Sequence, residues 1–138
     1  MVNLTRMRML IGYERRLKLK YQKKLSDATR ITSQLTGMPR GSGNHSQTEE
    51  GAIELAEVTE AYREVFESLN AQRAELQQLL PALDNPDDIA IMRLRYMDGY
   101  NVQDIPYLIH LSERAMFYHL ASAEKKLAQM FPEKVSLQ

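Results

Sequence analysis

Hydrophobic positions divide the chain into two long stripes and one shorter, heavily punctuated stretch. From about Leu4 to Leu35 there is no proline and only Gly12, and Met7, Ile11, Leu17, Tyr21, Leu25, Ala28, Ile31 and Leu35 follow a helical period, somewhat irregularly. From about Glu49 to Leu80 the stripe is strict. Leu55, Val58, Tyr62, Val65, Leu69, Gln72, Leu76 and Leu79 alternate in threes and fours, and seven of these eight heptad core positions are apolar, the pattern of a coiled coil. Between the stripes, Gly37 to Thr48 (GMPRGSGNHSQT) gathers three glycines, a proline and small polar residues, which is the composition of a loop. Pro81 closes the second stripe. Residues 1–81 therefore predict a long antiparallel hairpin of two helices, each roughly 45 Å long at 1.5 Å per residue.

Ala82 to Asp88 is a short polar joint, and Asn85-Pro86-Asp87-Asp88 puts proline at a first helical position with acids in the first turn. Residues 86–130 then predict three short helices. Ile89, Met92, Leu94 and Tyr96 make the inward side of the first, which stops at Asp98-Gly99. Asn101 can cap a second carrying Val102, Ile105, Leu108 and Ile109. Ser112 caps a third, along which Met116, Leu120, Ala123 and Leu127 recur at three- and four-residue spacing. Only His110 and Leu111 separate the second helix from that cap. So short a joint suits a helix-turn-helix, whose last helix lies in the major groove of DNA. The expected fold class is all-α: a coiled-coil hairpin over 1–81, with its loop at 37–48, followed by a three-helix helix-turn-helix lobe over 86–130.

Charge sharpens this picture. The formal net charge is zero, but residues 1–45 hold ten Lys/Arg against two acids, and residues 46–85 hold two against nine. Residues 86–138 are close to balanced, with six against seven. A basic first helix and an acidic second attract along their flanks, whereas either paired with itself repels. A two-helix core is thin, so the leftover apolar residues Met9, Leu10, Phe66 and Leu80 suggest further burial, against the C-terminal lobe or in a second chain. The absence of cysteine excludes disulfides and thiolate metal sites and favours a reducing, cytoplasmic compartment. No apolar run approaches a membrane span, and no signal-peptide pattern is present, so no membrane partner is expected.

Particular residues of the last stretch resemble a known family. Leu94-Arg95-Tyr96, Asp104-Ile105, Leu108-Ile109, Leu111-Ser112 and the final Ala123-x-x-Lys126-Leu127 look like the region 4 helix-turn-helix of bacterial sigma factors, which recognises the promoter −35 element. The likeness covers about forty of the 138 residues. Pro106 stands where that family usually has Ala, and His110 where it often has Gly. The resemblance implies base- and phosphate-facing roles for Glu113, Arg114, Phe117 and Tyr118, with Lys125 and Lys126 further along. Arg114 suits a base or phosphate contact, and Phe117 and Tyr118 suit thymine methyls or sugars. Ser112, which starts the helix, and His119, read as a neighbour of solvent or phosphate, complete the candidate DNA-contacting set. The whole layout also resembles small phage and prophage regulators of Gram-positive bacteria, the late-transcription activators of the ArpU and RinA type. No segment resembles the sigma region that melts the −10 element.

Other chemistries find little footing. The glycine-rich loop lacks the Gly-Lys-Ser/Thr ending of a phosphate loop and follows a helix where that motif requires a strand. His45, His110 and His119 are scattered, without acids at metal-ligand spacing. No acid/base pair or nucleophile arrangement can be built, so neither an enzyme nor a cofactor or metal is expected. The expected partner is double-stranded DNA, with RNA polymerase and a homodimer through the coiled coil as further candidates. The function expected is a phage-type, sequence-specific transcriptional regulator. Two other classes stay open: a small terminase-like DNA-packaging subunit, and an RNA polymerase interaction protein that does not bind DNA.

Overall fold

The computed structural model describes the backbone of residues 1–37 and 45–138 and the side chains of 1–27 and 51–138. The fold is mostly helical, as the hydrophobic periods predict. In chain order it has β1 (Val2–Asn3), α1 (Leu4–Gly37), α2 (His45–Leu79), a 3₁₀ turn (Leu80–Ala82), α3 (Pro86–Met92), a π-helical turn (Arg93–Met97), α4 (Ile105–Ile109), α5 (Glu113–Met130) and β2 (Val135–Ser136). The helices α1 and α2 extend further toward each other than the loop composition suggests. Gly37 and residues 45–48 are helical, and the rest of the expected loop, 38–44, lies outside the described residues.

Two compact units can be distinguished: Met1–Gly12 with Glu67–Gln138, and Tyr13–Phe66. In the unit 13–66, Leu17, Val58 and Val65 are buried and Tyr21, Leu55 and Tyr62 are half-buried, so the strict stripe of α2 does turn inward. Leu25, expected inward on α1, is 44% exposed. Its neighbours Lys18, Tyr21 and Gln22 line an apolar cavity of about 510 Å³ together with Thr59 and Tyr62. Lys24 is ion-paired with Glu54. That hydrogen-bonded pair raises the Lys24 ammonium above its ordinary value and lowers the Glu54 carboxyl below its own. Phe66 stays 43% exposed, stacked on Tyr62 with centroids 6.1 Å apart.

In the other unit, Leu69, Leu76, Leu79 and Leu80 of the α2 stripe and the following turn are buried with Val2, Leu4, Met7 and Ile11. Leu80 thus finds its burial within this unit, while Met9 remains 69% exposed. Gln72, the polar position of the stripe, is half-buried because its Oε1 accepts from the backbone N–H of Asn3 at 3.0 Å. A feature beyond the expected all-α class brings the two ends of the unit together. β1 pairs in parallel with β2, Val2 opposite Val135, and both valines are buried. Asn3 Oδ1 meanwhile accepts from Arg6 N–H at 2.9 Å, starting α1.

The three short helices follow. Asn85 Oδ1 accepts from Asp87 N–H at 2.9 Å and Pro86 opens α3, as the joint sequence predicts. The first helix does not run unbroken to Asp98. At Arg93 it widens into the π turn, with Asp98 N–H bonded to Arg93 O at 3.0 Å. The Tyr96 carbonyl is occupied instead by Arg73 Nε, 2.7 Å away. Tyr96 O is among the last carbonyls of the element, which have no partner along the helix, and the arginine satisfies it. Gly99 then takes φ +73° and ends the element. The second helix begins at Ile105, not Val102. Asn101 forms a turn, accepting from Asp104 N–H at 2.9 Å, and Asp104 precedes α4. Pro106 decides this boundary. A helix capped at Asn101 would hold Pro106 beyond its first turn, where the missing N–H and the ring clash are costly, so the helix starts where Pro106 falls in its first turn.

Candidate nucleic-acid interface

α4, the turn after it and α5 form one continuous surface. α4 ends at His110, which adopts the left-handed backbone (φ 55°, ψ 39°). Leu111 N–H then bonds back to Pro106 O at 3.1 Å, the closing bond of a Schellman turn. Ser112 follows in extended conformation, and its Oγ accepts from Ala115 N–H at 3.1 Å, which starts α5. His110 to Ser112 are thus the whole connection between the two helices. On α5, Met116, Leu120, Ala123 and Leu127 are buried, chiefly against α3.

Burying that stripe turns the other side of α5 outward. Arg114, Tyr118 and Lys125 lie near the middle of the outward side and are exposed, Tyr118 at 73%; Phe117 borders them at 42%. Glu113 and Ser112 are exposed at the N-terminal end of the helix. Tyr107 of α4 is 81% exposed and Leu108 48%. An open depression of about 470 Å³ lies at the turn, lined by Gln103, Pro106, Tyr107, Leu111, Ser112 and Glu113. The surface combines two cations with three aromatic rings, and Glu113 is the acid at the start of its helix. Such a surface can offer hydrogen-bond donors and flat apolar area to a duplex groove.

The remaining two candidate residues behave differently. His119 does not simply neighbour solvent: its Nδ1 lies 2.8 Å from Asp88 Oδ1. Lys126 Nζ lies 3.5 Å from Asp88 Oδ2. Asp88 itself is 1% exposed, the one buried charged side chain among the described residues. In the sequence it reads as an acid favouring the first turn of α3. In the fold it joins α3 to one flank of α5, the side that also carries Ala115 and Ser122. A second polar cluster sits on the opposite flank of α5. Tyr96 OH donates to Glu124, and Arg8 Nη1 reaches the same carboxylate at 3.3 Å. Burial first, and then the Glu124 charge, pushes the Tyr96 phenol well above the ordinary tyrosine range.

Among the described residues no group of His, Asp and Glu gathers at metal-binding geometry, and no helix is long and apolar enough to cross a membrane. Residues 37–128 match a family described as "Protein of unknown function (DUF1492)". Comparison with curated proteins finds no match, and neither does comparison with solved structures.

Proposed function

The chain belongs to the DUF1492 family, proteins of unknown function, and from that premise we propose that it is a non-catalytic, cytoplasmic, sequence-specific DNA-binding regulator of the phage type. α4 and α5 act as a sigma region 4-like helix-turn-helix, and α5 enters the major groove. The observation that carries this reading is the joint. A left-handed residue and a serine cap turn the chain within His110–Ser112, and the helix beyond buries one side and leaves Arg114, Phe117, Tyr118 and Lys125 for base edges and sugars. Residues 13–66 act as an antiparallel coiled-coil hairpin. The Lys24–Glu54 pair and the cavity shared by residues 18–25 with Thr59 and Tyr62 support that pairing sense.

With few cations on α5, each subunit neutralises few phosphates. Each one contributes a slope of about −0.9 to log K against log salt, so pairing of two chains strengthens binding, with half-sites about 10 bp apart or a multiple of that. The test is anisotropy titration of fragments selected from host or phage genomic DNA. Arg114→Ala with Tyr118→Ala should weaken binding to the selected sequence by roughly 1–3 kcal/mol for each lost base contact. Equal binding by the double variant and the wild type overturns the assignment of these residues.

A second reading is contact with protein, for instance RNA polymerase, in place of DNA. The exposure of Tyr107 and Leu108 favours it, since clustered exposed aromatic and aliphatic residues mark protein interfaces. Capture of polymerase in the absence of DNA, unaffected by Arg114→Ala but lost in Tyr107→Ala, would select it.

A further inference from the structure

We infer that the apolar groove between α1 and α2 in residues 13–66 is a self-association surface, which docks on the same groove of a second copy. Two hairpins then form a four-helix bundle whose two-fold axis runs parallel to the helices. The inference rests on the hairpin reading of these residues and not on the surface of α5. It specifies how the two chains of the proposed regulator pair.

The hairpin is short of core by itself. Among the described side chains of 13–66, only Leu17, Val58 and Val65 are buried. The larger apolar groups are left at the groove: Tyr21 and Tyr62 are half-buried, while Leu25 and Phe66 are exposed. These four are contiguous, because Tyr21, Leu25 and Tyr62 line one cavity and Phe66 stacks on Tyr62. A joined strip of aromatic and aliphatic side chains is the composition of a protein interface. The other side of the stretch is held by the Lys24–Glu54 ion pair. Charge then selects the occupant. Residues 13–27 hold six Lys/Arg against two acids, and residues 51–66 hold four acids against one arginine. A helix laid in the groove runs beside both walls, so a uniformly basic or acidic partner is repelled by one of them. A second hairpin presents one helix of each sign. With the two-fold axis across the helices, α1 meets α1 and α2 meets α2, like on like. With the axis along the helices, α1 meets the partner's α2, and all four neighbouring pairs around the bundle are antiparallel and join a basic to an acidic helix. Rotation about that axis also keeps every residue at its own level. Tyr21 and Leu25 of one copy therefore stand level with the partner's Tyr62 and Thr59.

The test is sedimentation equilibrium of the full chain over micromolar concentrations, with helical content followed by circular dichroism. The wild type should show a monomer–dimer equilibrium. Leu25→Gln and Phe66→Gln should each weaken the dimer by about tenfold or more, since each change strips an apolar group from both copies. Helical content should stay as it is, because both side chains already lie at the surface of the single chain. Leu19→Gln and Ile53→Gln remove exposed apolar groups that do not line the groove, and should leave the dimer intact. Should Leu25→Gln or Phe66→Gln lose helix, Thr59→Arg puts bulk and charge into the groove from an exposed position, and it should dissociate the dimer with the helices kept. Added potassium chloride should weaken the dimer, since it screens attraction between α1 and the partner's α2. A monomer at every concentration, a ring of many copies, or equal losses in groove and control variants overturns the inference. Strengthening by salt overturns it too, as the sign of like-charged helices meeting. A monomer that still discriminates selected from scrambled duplex sinks this inference and leaves the proposed function standing. A dimer that responds as expected but binds no duplex does the reverse.

Discussion

His110 and Pro106 sit at the two ends of the shortest helix and control it from opposite directions. Pro106 holds the start of α4 to the one register in which its missing N–H and its ring do no harm. His110 closes the helix in a left-handed backbone, which costs a non-glycine residue roughly 1–2 kcal/mol. His110→Gly should therefore stabilise the protein, by about 0.5–1 kcal/mol once the greater freedom of an unfolded glycine is subtracted. Urea denaturation of the two proteins checks this, and a loss of stability would mean that the imidazole makes compensating contacts. Both residues were visible in the sequence as departures from the resembling family. Asp88 was visible only as one of two acids in a first turn. Nothing in a helical period or a cap distinguishes an acid that faces solvent from one that is closed over by a neighbouring helix.

At the scale of elements, apolar spacing and punctuation carried most of the information. The strict stripe of α2 is buried or half-buried at every heptad position from Leu55 to Leu79, and Ser112 caps α5 as its residue type and place suggest. Removing that cap leaves an orphan N–H at the turn, so Ser112→Ala should cost about 0.5–2 kcal/mol. Because α5 carries the proposed groove surface, the same change should weaken DNA binding in step with fraying of its first turn. Amide hydrogen exchange at Ala115 and Met116 measures that fraying. The π turn escaped the periodic reading because apolar spacing does not report a one-residue widening of the backbone bonds, here Asp98 N–H to Arg93 O. Leu25 escaped in the other direction. It has the right spacing to be core, yet it lines a cavity and stays 44% exposed.

At the scale of the whole unit Met1–Gly12 with Glu67–Gln138, the ends of the chain meet. β1 pairs with β2, and Arg8, Glu124 and Tyr96 join the first turns of α1 to α5 and the π turn. The raised phenol gives this unit a signature in alkali. A folded-state value above the unfolded one means that the folded protein holds the proton more tightly. The stabilising contribution is then complete below the ordinary tyrosine value, about 10, and is lost as pH rises beyond it. Stability of the wild type should fall between pH 9 and pH 11 by up to about 1.4 kcal/mol per pH unit above 10 from this group. In Tyr96→Phe, which starts from lower stability, that component of the slope should disappear. Urea titrations across the range compare the two, and equal slopes would refute the assignment.

The amino-acid order alone determined that the chain is helical, where the long helices run, and that a short capped joint precedes an amphipathic last helix. These are properties of neighbours three or four residues apart, and a helix is built from such neighbours. Tertiary structure decided which polar residues are closed away and by what: Asp88 between His119 and Lys126, Tyr96 against Glu124, Gln72 beneath Asn3. It also decided that Val2 and Val135 pair. Each of these joins residues separated by roughly thirty positions or more, and burial and electrostatic environment arise only when the chain brings such residues together.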